Sequence, residues 1–354
     1  MCSKTWSRRM KSEPESEFRF GKGSDPTPEA LLRVVERRDF VKKAGRVTGG
    51  LVLAAGLGSL ASCVRKAAPV VNRVKPRTSA AVPPPAGQAD FAVATGPNAE
   101  EITRKAVDAL GGIGRFVKQG NVVLIKPNAS FLDGPEAGTS THPDVVGQVV
   151  AMCREAGAKR VIVMDHCLRG APTACFSANG IGDAVRRNGG EIIAYGSGDS
   201  GHAVETVVPS GVALKSTDVY PEVLSADVVI TVPKAKHHGS AGLSLGMKNF
   251  IGVTGHMSNI HNVDLHQGIA DLNTLVKPDL SIIDASIILL DNGPGGPGPT
   301  RAANTVIASP DVVAADSYAC TLFGLTAQDV PYIVCGNRAG LGEVDYNKLK
   351  IARV

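Results

Sequence analysis

The sequence predicts an α/β domain with a doubly wound, mostly parallel sheet and irregular Gly/Pro-rich loops, and three observations predict it. Short apolar runs recur from residue 122 onwards and are continuous, as in parallel strands that are covered on both faces. Stretches with a helical pattern lie between these runs. The 40 glycines and 22 prolines indicate many tight turns.

The strands and helices of this domain follow one another in a regular order. The apolar runs predict strands at 122–125, 161–164, 227–232, 280–283 and 305–308. Helices are predicted at about 98–110, 144–156, 178–188, 264–276 and 310–323. A doubly wound sheet accommodates this alternation, because each crossover helix covers one face of the sheet.

Residues 1–63 resemble a twin-arginine signal region. The segment 36–42 contains the pair Arg37-Arg38, and the Gly-rich, weakly hydrophobic run 47–60 has the length of a signal-peptide core. That run is too short to span a membrane as a helix. We therefore expect the twin-arginine translocase as a partner during export, and a periplasmic or membrane-anchored location.

The end of this region leaves two alternatives open. Residues 60–63 resemble a lipobox, so that Cys63 would be acylated and would anchor the protein without a spanning segment. Alternatively, cleavage near Ala67-Ala68 would release a soluble protein. Residues 64–89 are rich in proline and alanine and predict an extended linker. The α/β domain is expected to occupy 90–354.

The net charge of +5 comes from the leader and linker. Residues 1–89 carry 17 Lys and Arg against 7 Asp and Glu, whereas the remainder carries 21 against 26. A mildly acidic domain with few aromatic residues argues against nucleic-acid binding.

Seven cysteines occur, five of them in the predicted domain. An odd number cannot all pair within one chain, so we expect buried, unpaired thiols, with a bridge between Cys167 and Cys175 as the alternative. No C-x-x-C pair occurs, so no iron–sulfur cluster is expected.

Polar residues are concentrated where the predicted strands end, and ligands of open α/β sheets bind there. The groups are Lys126 with Asn128, Asp165 with His166, the segment 234–238, and Asp284. Lysines attract anions, and histidines transfer protons near neutral pH. The catalytic candidates are Lys126, His142, His237 and His238, and the candidates for binding a small anionic substrate are Asn128, Lys234, Lys236 and Asn249.

The histidines and one glycine-rich stretch suggest a cofactor. All eight histidines lie between 142 and 266, and His256 and His261 are candidate metal ligands. Glycines and hydroxyls in 239–255 lead to Lys248, and backbone N–H groups of such a loop can approach an anion. A solvated polar loop with incidental histidines is the simpler alternative. The Gly/Pro-rich segment 291–298 is predicted to be a loop bordering the site.

The start of the second predicted helix has its own signal. Thr139, Ser140, Thr141 and Asp144 are residues typical of helix N-termini, and capping explains most of this segment.

Taken together, these segments resemble the DUF362 family, a domain of unknown function, over about residues 90–340. The matching motifs, in order, are Ile125-Lys126-Pro127-Asn128, Thr141-His142-Pro143, Gly157-Ala158, Val232-Pro233-Lys234-Ala235-Lys236-His237-His238, Gly246-Met247-Lys248-Asn249-Phe250-Ile251-Gly252, Lys277-Pro278-Asp279-Leu280, Asp284-Ala285 and Asn292-Gly293-Pro294-Gly295.

A weaker similarity is to lactate-racemase-type proteins. It implies His142 and one of His237 or His238 as an acid–base pair. It also implies Lys248 as the anchor of a nickel-containing cofactor, with His256 or His261 as a metal ligand.

Two functional hypotheses follow. The first is an exported enzyme that acts on a small anionic substrate with a His/Lys site, assisted by a transition metal or a metal-containing cofactor. The alternative is a non-catalytic exported protein that binds a metal or another ligand, because no catalytic triad or paired-carboxylate motif is recognisable.

Overall fold

The computed structural model describes residues 88–354. The predicted signal region with Arg37-Arg38, the lipobox cysteine Cys63 and nearly all of the linker lie outside the described residues. Within the described part, no helix is long and apolar enough to cross a membrane.

The main sheet has ten strands. Eight of them lie in the order β12-β1-β11-β10-β7-β2-β3-β4, and β8 and β9 are attached beside β10. A separate antiparallel pair is formed by β5 and β6. The strands are β1 Phe91–Thr95, β2 Val122–Pro127, β3 Arg160–His166, β4 Glu191–Tyr195, β5 Val204–Val207, β6 Ser216–Val219, β7 Val228–Val232, β8 Lys234–His238, β9 Gly242–Ser244, β10 Leu280–Leu289, β11 Thr300–Ser309 and β12 Ile351–Arg353.

The centre of the sheet is parallel, as the continuous apolar runs predict. β4, β3, β2, β7 and β10 are parallel neighbours. β11 runs antiparallel to both β10 and β1, so the sheet is mixed at this edge. All five predicted strands are present, and the predicted fold class is confirmed.

Helices cover both faces of the sheet. They are α1 Ala99–Ala109, α2 Pro143–Glu155, α3 Ala174–Ala178, α4 Ile181–Arg187, α5 Pro221–Ser225, α6 Gly246–Asn249, α7 Ser258–His261, α8 Leu265–Leu275, α9 Val312–Thr321 and α10 Pro331–Arg338. Alternate strand residues enter two different cores. Val123 and Ile125 pack with α1, α2 and α4, whereas Leu124 belongs to the core that contains α8, α9 and α10. This is the double winding that the sequence predicts.

The start of α2 differs from the sequence-based expectation. Its N-cap is His142, whose Nδ1 accepts a hydrogen bond from the backbone N–H of Asp144 at 3.2 Å. The hydroxyl of Thr141 instead donates to the carbonyl of Val232 and accepts from the backbone N–H of Asn128. Thr141 therefore ties the helix start to the ends of β2 and β7 and does not cap the helix.

The segment after β7 is more ordered than the sequence suggests. Pro233 separates β7 from β8, which pairs with β10 and β9. The Gly-rich stretch that follows contains β9 and the short helix α6. Asp316 of α9 accepts hydrogen bonds from the backbone N–H groups of Gly246 and Met247, at 2.7 and 2.9 Å. A Cβ at Gly246 would stand 2.8 Å from that carboxylate, which explains the glycine.

The cysteines differ from the favoured expectation at one pair. Cys167 and Cys175 form a disulfide, with their Cα atoms 5.8 Å apart. The expectation of an unpaired thiol is therefore wrong for these two residues. Cys153, Cys320 and Cys335 are buried and free, as expected. The bridge closes the loop that follows β3.

Candidate functional site

A cavity of about 350 Å³ lies beyond the carboxyl ends of β2 and β3, against β8 and α6. Its position is the one expected for a ligand site in an open α/β sheet. Its polar wall consists of side chains from these four elements, from β9 and α7, and from the loop after β2: Lys126, Asn128, Ser130, Asp165, Lys236, His238, Ser244, Lys248, Asn249 and His261.

An ion pair between Lys126 and Asp165 forms one end of this wall. The Nζ atom of Lys126 lies 2.7 Å from Oδ1 of Asp165, and both side chains are almost completely buried. The other carboxylate oxygen accepts hydrogen bonds from the backbone N–H of Ala129 and the hydroxyl of Ser130. Burial lowers the pKa of Lys126, and the charge of Asp165 opposes that effect. The carboxylate therefore favours the charged form of this buried lysine and offsets part of the effect of burial.

Two asparagines fix the position of this ion pair. Oδ1 of Asn249 accepts from Lys126 Nζ at 3.0 Å and from Asn128 Nδ2 at 2.9 Å. Nδ2 of Asn249 donates to the carbonyl of Lys126 and to the hydroxyl of Thr231. Oδ1 of Asn128 accepts from the backbone N–H of Lys234. Most polar atoms of the two side-chain amides are therefore hydrogen-bonded within the protein, and both asparagines hold the side chain of Lys126 and the neighbouring backbone in place.

The ammonium of Lys236 is held by carbonyls and an aromatic ring. Its Nζ donates to the carbonyl of Thr139 and, at 3.1 Å, to that of Pro294. It also lies 4.7 Å from the centroid of the Phe131 ring. No carboxylate pairs with it within the described residues, and burial, with smaller contributions from Lys248 and Lys126, lowers its pKa to about 7. It therefore exchanges a proton near neutral pH.

Lys248 projects from α6 and is the least constrained cation of the wall. Its backbone is fixed, because Asp316 caps the helix and Asn273 donates to the carbonyl of Met247 at 2.9 Å. Within 88–354, its ammonium makes neither a hydrogen bond nor an ion pair. Burial, and next the charge of Lys126, lower its pKa to about 8.

The two histidines of the wall present rings of different exposure. His238 is buried, and its Nδ1 accepts from the backbone N–H of Ala241 at 3.3 Å. Its neutral ring therefore carries its proton on Nε2. Burial, followed by the charges of Lys248 and Lys236, lowers its pKa to about 2. His261 is more exposed, and its ring centroid lies 6.4 Å from that of His238. Partial desolvation of its ring, and next the charge of Lys248, lower its pKa as well.

The charge of this wall is unbalanced. Three lysines and a single carboxylate line the cavity. Asp165 is already paired with Lys126, so Lys236 and Lys248 have no carboxylate partner. A buried cation without a counter-ion is costly, and the lowered pKa values of both lysines express that cost. An anion in the cavity would reduce this cost.

Four predicted site residues do not line this cavity. Lys234 is fully buried and forms an ion pair with Asp284 at 2.9 Å. His142 donates its backbone N–H to the same carboxylate and lines a different pocket, with Ser286 and Asn304.

The remaining two residues, His237 and His256, point away from the cavity. His237 points to the other side of β8 from Lys236 and His238, and its Nδ1 accepts from the backbone N–H of Gly293. His256 is exposed and pairs with Asp218. Lys234, His142, His237 and His256 therefore lie outside this cavity.

The histidines do not form a metal centre by themselves. Among the described residues, no group of three or more His, Cys, Asp or Glu side chains is placed to hold a metal ion. His261 lines the cavity but His256 does not, and His142 lies in another pocket. Of the residues implied by the racemase-type similarity, His238, Lys248 and His261 line the same cavity, whereas His142 lies in a different pocket.

Several residues around the cavity are not among the catalytic, substrate-binding, cofactor or metal candidates taken from the sequence. Asp165 had a detectable signal, because it is a charged residue at the end of an apolar strand. Pro294 belongs to the segment 291–298, which the sequence predicts to border the site. Phe131 has no such signal, since only tertiary folding brings it next to Lys236. Gly252 approaches the ion pair so closely that a Cβ there would stand 2.6 Å from Oδ1 of Asp165.

Comparison with known proteins supports a family assignment. The chain is 29% identical over 246 residues to the thylakoid-associated protein sll1697 of Synechocystis sp., which covers 67% of this chain and 74% of that protein. The structure of the present chain is similar to that of the lactate racemase apoprotein from Thermoanaerobacterium thermosaccharolyticum, with a TM-score of 0.41 and 14% identity. That similarity covers 67% of this chain and only 58% of the racemase chain. The profile of the family described as domain of unknown function (DUF362) matches residues 123–321, more than half of the chain, and the protein belongs to this family.

Proposed function

We propose that this protein is an enzyme that binds a small anionic substrate in the cavity between β2, β3, β8 and α6. The observation that carries the proposal is the charge of the wall, where Lys236 and Lys248 are buried without a carboxylate partner. A carboxylate or phosphate group of the substrate would supply the missing counter-charge. The cavity of about 350 Å³ suits a small molecule.

The wall offers separate groups for proton transfer and for hydrogen bonding. Lys236 and Lys248 exchange protons near neutral pH, because their pKa values are lowered to about 7 and about 8. General acid–base catalysis is most efficient with such values. His238 stays neutral, so it donates a hydrogen bond from Nε2 and does not act as a base. This changes the role expected for His238 from its sequence context, from moving protons to orienting or polarising the substrate.

A thermal-shift panel tests the binding step. The full chain is heated with oxalate, L-lactate or inorganic phosphate, and with sodium chloride at equal ionic strength as the control. We expect at least one of the three anions to raise the melting temperature, since a ligand at 100 times its Kd adds about 2.7 kcal/mol to the free energy of unfolding. Lys248→Met should markedly reduce this rise, whereas Lys159→Met, at an exposed position, should preserve it. Equal shifts in both variants would refute the site.

We also propose that the protein is exported by the twin-arginine translocase and acts in the periplasm, with Cys63 as the lipid anchor if that cysteine is acylated. The pair Arg37-Arg38 supports export, and so does the disulfide between Cys167 and Cys175, because such bonds persist in oxidising compartments. Replacing both arginines by lysine should leave the chain in the cytoplasm, as judged by fractionation. Unchanged export of that variant would contradict the assignment.

A further inference from the structure

Lys248 differs from the other lysines around the cavity in how its amine is used. Lys126 is bonded to Asp165 and Asn249, and Lys236 is bonded to two backbone carbonyls. Within the described residues the amine of Lys248 has no such partner, although its side chain lines the same cavity. The amine of Lys248 is therefore free to react, whereas the amines of Lys126 and Lys236 are engaged in hydrogen bonds with the protein.

We propose that Lys248 is a nucleophile that forms an imine with a small carbonyl compound that also carries an anionic group, such as a 2-oxo acid. This inference rests on the proposed anion site and names its substrate class. The anionic group would lie near Lys236, which is held in place by Thr139 and Pro294. The carbonyl carbon would then face Lys248.

The surroundings favour the free amine over the ammonium. The amine is desolvated, and the nearby charge of Lys126 disfavours a second cation. With a pKa of about 8, roughly one tenth of Lys248 is unprotonated at pH 7. That is ~300-fold more free amine than a lysine with its ordinary pKa would provide. Lysines activated in this way are the ones that form Schiff bases in enzymes.

The reaction needs no further reagent. The nitrogen of the neutral amine attacks the carbonyl carbon, a C–N bond forms, and the C–O bond breaks. The carbonyl oxygen leaves as water with the two hydrogens of the amine, and the product is the imine. The Nε2–H of His238 is available to donate a hydrogen bond to that oxygen as it gains negative charge.

Reductive trapping tests the proposal on the full chain. The protein is incubated with pyruvate or glyoxylate and sodium cyanoborohydride, and the modified peptide is identified by mass spectrometry. Thermal shifts with the same compounds, and with L-lactate as an analogue without the carbonyl, are measured in parallel. We expect one reduced adduct per chain, on the peptide that contains Lys248, and its loss when excess L-lactate or oxalate competes.

Two variants sharpen the test. Lys248→Arg keeps the positive charge but cannot form an imine, so it should lose the adduct. Lys159→Arg changes an exposed lysine and should keep the adduct. Because the modified position is mapped in the wild-type chain, the test does not depend on the folding of either variant.

The possible results separate the two proposals. An adduct on Lys248 supports the imine. If pyruvate or glyoxylate raises the melting temperature but modifies no lysine, or only surface lysines, the imine is refuted and the anion site remains. If no anion raises the melting temperature and no adduct forms, both the imine and the anion site are refuted.

Discussion

Asp165→Asn is expected to lower the free energy of unfolding by about 3–5 kcal/mol, the usual cost of leaving a buried charge without its partner. Asp165 is fully buried, and its carboxylate accepts from Lys126, His166, Ala129 and Ser130. The asparagine keeps the shape, removes the charge, and places an N–H₂ group against these donors. Urea denaturation of the wild type and the variant measures the loss.

Two variants show whether the loss comes from the uncompensated lysine. Asp183→Asn removes a carboxylate of an exposed pair with Arg186 and should leave stability nearly unchanged. Adding Lys126→Met to Asp165→Asn removes the unpaired charge, and should recover part of the lost stability. A loss below about 1 kcal/mol in Asp165→Asn would contradict the central role of this ion pair. So would a double variant whose loss equals the sum of the single losses.

Anion affinity is expected to fall as the pH rises through 7 and 8. In the free protein the pKa values of Lys236 and Lys248 are lowered to about 7 and about 8, so both are largely charged at about pH 6 and both are largely neutral at about pH 9. The anion binds the charged forms. Each lysine therefore contributes up to ~10-fold in affinity per pH unit above its own pKa. His238 adds no change in this range, because it stays neutral.

Titrations of single variants assign this pH dependence. Lys248→Met should weaken binding at pH 6.5 by roughly 10- to 150-fold, which corresponds to a charged hydrogen bond of about 1.5–3 kcal/mol. It should also remove the part of the pH dependence near pH 8. Lys236→Met should remove the part near pH 7. An affinity that does not change between pH 6 and 9 would show that neither lysine contacts the anion.

The apolar strands of this fold could be predicted because their signal is local. A run such as 228–232 is apolar throughout because both of its faces are covered, and this is visible without any partner. The strand β8 was missed, because Lys234, Lys236 and His238 have none of that apolar character. They are buried by tertiary partners such as Asp284, which is 50 residues away in the sequence.

The site could be predicted in its location and in part of its composition. Polar residues at strand ends indicated Lys126, Lys236 and His238, and the glycine-rich stretch indicated Lys248; all four line the same cavity. The separate roles of these residues could not be predicted from the sequence, since the role of a lysine depends on which group it contacts in the folded protein. A carboxylate neutralises Lys234 and another neutralises Lys126, whereas Lys248 has no such partner among the described residues.

The histidine cluster shows the limit of counting residues along the chain. His256 and His261 are five residues apart, yet only His261 lines the cavity. The short helix α7 begins after His256 and ends at His261, and Asp218 holds His256 at the surface by a hydrogen bond to its Nδ1. The many histidines in this part of the sequence therefore indicate a polar region, but they do not show which imidazole rings line the same cavity.

The most direct measurement of the anion site is calorimetric proton uptake by the wild-type chain. The anion with the largest thermal shift is titrated at pH 7.5 in two buffers of different ionisation enthalpy. At this pH Lys236 is mostly neutral and Lys248 is mostly charged, so full protonation of both takes up about one proton per chain. We expect the wild-type chain to take up nearly one proton on binding, and Lys236→Met to take up less. Binding without proton uptake, or no binding of any tested anion, would contradict this expectation.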